Sequence, residues 1–327
     1  MANFLRVLRG KILTPSVSAT RLENRGFHEK SPQARELLES IGAYFLTGYR
    51  YAAEAGTPAE AEARLEHVPT RFRGFAYEGA AMGFTIVDAL SPRRRRLAGF
   101  LAGRGDHHVY MAYVGAGWAM ARLPRFRRPE MSVYDPLLRW LVLDGYGFHQ
   151  AYFHTERYVR RHFRDPAAQW RLGRHTPYAH RAVDQGIGRA LWFVGGTDPE
   201  RVATMIDAFP DARHRDLYSG AGLAATYAGG ASETELVTLR ERAGSHRPHL
   251  AQGSAFAAQA RIRAGLLVPH TELATRVLCG MAPEEAAQVS EDARPADPSG
   301  HDSTGEVPAY EAWRARIADE FAALGRC

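Results

Sequence analysis

Two acidic residues lie inside long apolar stretches of the sequence. Glu78 lies in FAYEGAAMGF and Asp144 in LLRWLVLDGYGFHQAYF. Burying a carboxylate is costly unless it is paired or functional, and burial raises a carboxyl pKa toward neutrality, where the group can donate or accept a proton. We therefore predict that both are catalytic acids. The alternative is a structural carboxylate, satisfied by a backbone amide or by an arginine such as Arg71, Arg73 or Arg139.

Two further residues complete the predicted catalytic set. Asp184 lies in the related segment DQGIGRA, and His149 follows Asp144 by five residues. On a helix this spacing keeps His149 from pairing directly with Asp144, and it also separates His149 from His154, which argues against a two-histidine metal site. We predict His149 as a proton relay; the alternatives are a core histidine and an ion-paired Asp184.

Aromatic residues are concentrated in the same segments. An apolar cavity lined by aromatic rings and a few acids suits a polyene or isoprenoid-like ligand, although most such rings in proteins are simply core. The predicted substrate-binding residues are Tyr77, Trp118, Tyr146, Tyr152, Trp192 and Tyr218. The chain has no H-E-x-x-H, C-x-x-C or nucleophile-elbow motif, so we predict no metal, no cofactor and no serine-triad chemistry.

Glycine recurs at a regular interval in these segments. SGAGLA, at 219–224, fits a dinucleotide-binding turn, but it follows DARHRD rather than an apolar strand and lacks an acid about 20 residues later. The pattern also recurs, with spacings of 36, 30, 41, 34 and 33 residues between the leading glycines Gly79, Gly115, Gly145, Gly186, Gly220 and Gly253. Glycine weakens a helix, so we predict that these residues allow close helix–helix approach, or approach of a ligand to the backbone.

A larger duplication is superimposed on this spacing. Pro58, Pro69, Gly79 and Ser91 precede Pro199, Pro210, Gly220 and Ser232 by 141 residues each. Polar–proline pairs such as Thr57–Pro58 and Ser91–Pro92 indicate helix starts. The sequence therefore predicts an all-α fold of six to seven αα-hairpin repeats, forming either an open superhelix or a closed α/α toroid.

The repeat pattern also suggests boundaries. We predict an N-terminal helical segment over 1–40, a duplicated repeat domain over 41–281 with halves at about 41–125 and 181–265, a linker over 282–309 and a C-terminal helix over 310–327. The linker prediction depends on an acidic composition rich in proline, serine and glycine.

Composition narrows the class of protein. The two cysteines argue against a disulfide framework and favour a cytoplasmic location, and no apolar run is long enough for a transmembrane helix. The net charge is +6, but the arginines are scattered apart from 93–96, which argues against nucleic acid as a partner. The basic, amphipathic residues 1–14 suit either packing on the domain or contact with a membrane surface.

Five long motifs resemble the bacterial domain-of-unknown-function family 1702. They are RGFAYEGAAM, VYMAYVGAGWAMARL, DPLLRWLVLDGYGFHQAYF, QGIGRALWFVGG and LYSGAGLAATYAGG, and the resemblance covers about residues 20–280. Members of that family are associated with actinobacterial secondary-metabolite clusters, notably beside enediyne polyketide synthases. The resemblance implies a biosynthetic role on a polyene-derived intermediate, but it brings no catalytic residues.

These observations lead to three functional hypotheses. The favoured one is an enediyne- or polyketide-type biosynthesis protein that binds a hydrophobic polyene and cyclises or remodels it by general acid chemistry. The second is an acid-initiated isoprenoid cyclase. The third is a non-catalytic helical scaffold that holds partner enzymes or sequesters a reactive product.

Overall fold

The described residues of the chain, 2–91, 95–170, 172–304 and 306–325 of a computed structural model, form helices and turns with no β-strand among them. The helices are α1 (Ala2–Leu13), α2 (Leu22–Arg25), α3 (Pro32–Glu54), α4 (Pro58–Leu65), α5 (Thr70–Leu90), α6 (Arg96–Leu101), α7 (Val109–Arg122), α8 (Arg139–Phe153), α9 (Ala179–Val194), α10 (Pro199–Asp207), α11 (His214–Ala228), α12 (Glu233–Ala243), α13 (Arg247–Arg263), α14 (Pro269–Leu278), α15 (Pro283–Asp292), α16 (Pro298–Thr304) and α17 (Ala309–Leu324). None of these helices has the length and apolar character needed to cross a bilayer.

The longer helices form one continuous row. Helix α3 packs on α5, α5 on α7, and the contacts continue through α8, α9, α11 and α13 to α15. Most of their side chains are buried, which explains why the motifs read as apolar on all faces. Shorter helices pack outside the row, with α4 against α6 and α12 between α10 and α14.

Side-chain caps fix the starts of several outer helices. Thr57 Oγ1 accepts a hydrogen bond from Glu60 N, and Asp198 Oδ1 accepts one from Arg201 N. Ser232 and Glu235 bond reciprocally to each other's backbone N–H groups. These bonds satisfy amides that the first helical turn leaves free. The predicted Ser91–Pro92 start falls partly outside the described residues.

The glycines bring neighbouring helices of the row unusually close together. A Cβ atom at Gly186 would lie 1.8 Å from the Asp144 carbonyl oxygen, and one at Gly220 would lie 2.0 Å from that of Gln185. Both distances are far below any contact that a real Cβ makes, so only glycine fits. Gly115, Gly145 and Gly253 meet the carbonyls of Glu78, Val114 and Ser219 in the same way. Close helix–helix approach is therefore confirmed as the use of these glycines, and the dinucleotide-loop interpretation is excluded.

Helices α3, α5 and α7 point in one direction, and the row bends. Arg96, after α5, donates to Ala55 O, after α3, and Arg127, after α7, donates to Ala89 O in α5, so the C-terminal ends of these helices lie together. The rings of Phe75 in α5 and Tyr227 in α11 meet at 5.2 Å between centroids although their helices are not neighbours in the row. The bend leaves an interior, and α17 lies against its α13 side.

Two expectations differ from the observed elements. The connections from α7 to α8 and from α8 to α9 contain short 3-10 and π turns instead of the second helix of a hairpin, because Pro124, Pro129 and Pro166 interrupt helical hydrogen bonding there. The linker prediction for 282–309 is wrong over Pro283–Asp292, which forms α15. Proline at a first helical position starts a helix, and Ser290 is buried against Gln259 of α13.

The outer boundaries also shift. The predicted division at 40/41 falls inside α3, which runs from Pro32 to Glu54. The predicted C-terminal helix corresponds to α17, and it is buried through Tyr310, Trp313 and Arg314. No boundary separates these terminal segments from the core of the row.

Candidate functional site

An apolar cavity of about 70 Å³ lies inside the bend. Helices α3, α5, α7, α8 and α9 form its walls, and the segment that follows α1 covers one side. Its lining is mostly hydrophobic and aromatic, with five residues that carry charge or a titratable proton: Glu78, Arg122, His149, Tyr152 and Arg189.

The glycine spacing determines which side chains reach this interior. The residue three positions after a leading glycine lies on the cavity wall in four consecutive helices, as Met82, Trp118, Phe148 and Arg189. The next two helices place Leu223 and Phe256 in a second, smaller cavity of about 30 Å³. Three residues is close to one helical turn, so the glycine and this side chain share a face.

Glu78 is the titratable acid of the main cavity. The residue is 3% exposed, and burial raises its pKa to about 7. The charge of Asp144 acts in the same direction, whereas Arg189 and the Trp118 indole oppose the shift. A carboxyl with this pKa is partly protonated at neutral pH, as a general acid requires.

Asp144 forms a buried ion pair with Arg189. Asp144 Oδ1 accepts a hydrogen bond from Arg189 Nη1, and both residues are at most 5% exposed. Burial disfavours the charged form of Arg189, but Asp144 and Glu78 outweigh it and raise its pKa. Arg189 lines both cavities, with Glu78 on one side and Asp144 on the other. Glu78 and Asp144 therefore meet through a shared arginine.

Several buried polar atoms around this arginine have no hydrogen-bond partner within the described part of the chain. They include donors at Trp118 Nε1, Arg189 Nε and Gln185 Nε2, and an acceptor at Asp144 Oδ2. Unsatisfied buried polar groups cost free energy and are rare in folded proteins. The Trp118 indole N–H lies toward the Glu78 carboxyl and the Gln185 amide toward the Asp144 carboxyl, so Arg189 Nε is the donor that a polar group of a ligand, or water, would satisfy.

His149 faces the main cavity, as predicted for a relay. Its ring lies edge-on to Trp118 at 5.5 Å, and its Nδ1 is 3.3 Å from Gln150 Oε1. Burial lowers its pKa to about 3, with a smaller contribution from the charge of Arg122. The ring is therefore neutral at physiological pH, and it can accept a proton only from a strong acid.

Asp184 lies apart from Glu78 and Asp144 and lines neither cavity. Its carboxylate bonds to Arg213 Nη2 at 2.5 Å and to Arg164 Nη2 at 2.7 Å, on a face of α9 away from both cavities. Two guanidinium groups satisfy it fully, as in the structural alternative. Two of the three arginines proposed as partners of Glu78 or Asp144 are engaged elsewhere, because Arg73 bonds to Glu66 and Arg139 to Asp302.

Two of the six predicted ligand-contacting aromatic residues, Trp118 and Tyr152, line the main cavity. The other four donate hydrogen bonds within the core: Tyr77 to Glu66, Tyr146 to Asp165, Trp192 to Gly229 O and Tyr218 to Arg242 O. A ring whose polar atom is satisfied far from the cavity contributes to packing.

The main residue missed by sequence reasoning is Arg189. A signal for it exists in QGIGRA, because the other five segments have Met, Trp, Phe, Leu and Phe at the third position after the leading glycine. Among the six residues that lie three positions after a leading glycine, Arg189 alone is charged, and this difference could have identified it as a functional residue.

The chain was compared with known families, curated proteins and solved structures. Residues 4–321 match the family described as protein of unknown function (DUF1702). No curated protein and no solved structure gives a significant match. Since the family match covers nearly the whole chain, the protein belongs to DUF1702.

Proposed function

We propose that this protein binds a hydrophobic molecule carrying one polar group, and that Glu78 acts on it as a general acid. The observation that supports the proposal is the position of three buried polar groups on the wall of the apolar cavity. The Trp118 indole N–H lies toward the Glu78 carboxyl, and Arg189 Nε, in the same region, has no hydrogen-bond partner among the described residues. An oxygen atom of the ligand would accept a hydrogen bond from Arg189 Nε.

The chemistry that fits is acid-initiated isomerisation or ring closure. Glu78 would transfer its proton to a double bond or a polarised oxygen, leaving a carboxylate that Arg189 stabilises. The positive charge left on the ligand would lie against the aromatic faces of Trp118 and Phe148. Loss of a proton from the ligand, back to Glu78 or to His149, would give a product of unchanged composition.

The proposal also includes a biological setting for this chemistry. The family resemblance supports a bacterial secondary-metabolite role on a polyene of the enediyne or polyketide type, in the cytoplasm and alongside partner enzymes. An isoprenoid cyclase would use the same chemistry. A scaffold would need neither the acid nor the cavity, so the experiment below separates it from both.

We further propose that the helical body is a set of duplicated repeats. The same glycine-to-carbonyl contact joins successive helices from α5 to α13, which supports a common repeating unit. Helices α4 and α10 have equivalent polar caps and first-turn prolines, which supports the offset of about 141 residues. The bend of the row supports an open superhelix or a toroid.

The test uses a producing strain that carries Glu78→Gln, compared with a deletion strain and the parent by untargeted mass spectrometry. We expect the variant to accumulate the same unprocessed intermediate as the deletion, because an amide cannot supply the proton. The matched control is Tyr146→Phe, which alters a predicted aromatic residue outside the cavity and should give parent levels of product.

Binding is measured separately with a fluorescent conjugated tetraene fatty acid. Glu78→Gln should bind this probe within about threefold of the parent, whereas Met82→Trp, which fills the cavity, should weaken binding at least about tenfold. Parental product levels from Glu78→Gln would reject general acid catalysis and favour the scaffold. Unchanged binding by Met82→Trp would reject the cavity as the ligand site.

A further inference from the structure

Large apolar side chains are exposed at one end of the helical row. Leu8 and Ile12 of α1 are 41% and 71% exposed, Leu90 at the end of α5 is 59% exposed, and Phe126 after α7 is 82% exposed. A single exposed apolar residue is ordinary in a folded protein, but several on neighbouring segments indicate an interaction surface.

Hydrogen bonds hold these segments side by side. Arg9 in α1 donates to Ala53 O and Ala55 O at the end of α3, and Arg96, after α5, also donates to Ala55 O. Arg127 donates to Ala89 O at 3.2 Å, which places the turn containing Phe126 beside Leu90. We call this surface the C-terminal rim: α1, Leu90 and the turn Arg125–Arg127.

The polar part of the rim is basic. Lys11, Arg125 and Arg127 are exposed and form no ion pair with any residue that the structure describes. Glu60 pairs with Arg6 and Glu54 with Arg64, whereas the exposed Glu130 shares a surface pocket with Arg125 and Phe126. The charged side chains beside the exposed apolar residues are therefore mainly cationic.

Part of the lining of the main cavity lies beside this rim. It includes Pro15, which follows α1 by two residues, and Arg122, which ends α7 three residues before Arg125. Phe153, the last residue of α8, also lines the cavity. Arg122 is exposed and Pro15 and Phe153 are half-buried, so a hydrophobic molecule that enters on this side would pass the rim.

We propose that the C-terminal rim docks on the surface of an anionic phospholipid bilayer, from which the hydrophobic ligand enters the cavity. Leu8, Ile12 and Phe126 would insert among the acyl chains near the headgroups, and the basic residues would contact lipid phosphates. Charge complementarity selects this partner, and aliphatic side chains beside the cations suit acyl chains better than a nucleic acid. Only ligand entry rests on the function proposed above; docking does not.

The experiment is flotation of the full chain with phospholipid vesicles. Vesicles of phosphatidylcholine containing about one third phosphatidylglycerol should bind the protein at least about tenfold more strongly than phosphatidylcholine alone, and added salt should weaken binding. The double variant Ile12→Asp, Phe126→Asp should lose at least about tenfold in vesicle affinity.

The matched control is Val307→Asp. Val307 is 43% exposed and lies near Asp302, which pairs with Arg139 at the N-terminal end of α8, opposite the rim. Its substitution should change vesicle affinity less than about twofold. Failure of the parent to float, or an equal loss in Val307→Asp, would overturn the docking proposal and point to a protein partner.

A further variant keeps the two proposals separate. Met82→Trp fills the cavity without altering the rim, so it should float like the parent. If the parent does not float while Met82→Trp still weakens tetraene binding, docking is wrong and the ligand site stands. If the parent floats and Met82→Trp binds the tetraene unchanged, the ligand site is wrong and docking stands.

Discussion

Two buried acids of the row, Glu78 in α5 and Asp184 in α9, have different surroundings. Asp184 is satisfied by two arginines, whereas Glu78 faces an apolar cavity and shares one distant arginine with Asp144. Both look alike in the sequence, since each lies one or two residues before a leading glycine inside an apolar segment. The difference comes from Arg164, Arg213 and Arg189, which are brought in from other segments.

The raised pKa of Glu78 predicts a pH-dependent stability. A carboxyl whose pKa rises from 4.5 to about 7 on folding stabilises the folded state below pH 4.5, and this contribution is lost as the pH rises through about 7. At about 1.4 kcal/mol per pKa unit, the full effect is about 3 kcal/mol. Glu78→Gln should therefore gain stability relative to the parent as the pH increases from 5 to 8.

Urea denaturation at each pH measures this difference. The control is Asp184→Asn, which leaves Arg213 buried without its anion and should lose about 3 kcal/mol or more near neutral pH. A constant difference between Glu78→Gln and the parent across this pH range would contradict the raised pKa.

At the level of the helices, the glycine pattern was the informative part of the sequence. It indicated long helices in close contact. In the structure, each leading glycine from Gly115 onward contacts a carbonyl of the preceding helix in the row, and that carbonyl belongs to the residue just before the leading glycine of that helix. The connections were harder to predict, because short turns replace the expected second helix of a hairpin between α7 and α8 and between α8 and α9. Composition also misled for α15, where proline and acidic residues start a helix instead of preventing one.

The glycine contacts predict a sharp difference between two alanine substitutions. In Gly186→Ala the new methyl group would overlap the Asp144 carbonyl, so the helices must separate, and we expect a loss of at least about 2 kcal/mol in the free energy of unfolding. In Gly99→Ala the nearest atom, Pro58 Cγ, is 3.3 Å away on an exposed helix, and the gain in helix propensity should stabilise by up to about 1 kcal/mol.

Chemical denaturation of both variants at pH 7 checks this prediction. Equal effects would mean that α8 and α9 separate easily and that glycine is not needed at their contact. The comparison uses the same substitution in two helices of one chain, so differences in alanine's effect on the unfolded state are small.

At the scale of the whole molecule, the interior is divided between a cavity and a helix. Helices α3 to α9 enclose the cavity, whereas α17 fills the other side, where Tyr310 bonds to Gln185 and Trp313 to Ser290 O. Sequence reasoning predicted α17 as a helix, but it gave no sign that α17 is part of the core. Its partners lie more than 100 residues away in the case of Gln185, and no local pattern encodes such contacts.

The buried charge of α17 predicts that this helix is integral to the fold. Arg314 pairs with Asp216 at 2.9 Å and with Glu311 at 3.4 Å. Arg314→Leu would leave these carboxylates with fewer cations, and it should reduce the free energy of unfolding by about 3 kcal/mol. The control Arg316→Leu, on the exposed face of α17, should change it by no more than about 0.5 kcal/mol. Urea titration compares the two, and equal losses would show that α17 is only loosely attached.

The close glycine contacts have a consequence for how such a protein diversifies. Because backbone touches backbone, the separation of the helices does not depend on the side chains that face inward at Met82, Trp118 and Phe148. Those positions can change in size and polarity while the frame around them stays fixed. One scaffold can thus acquire a new ligand preference by a few substitutions, and relatives with the same glycines but different residues at these positions are expected to accept different molecules.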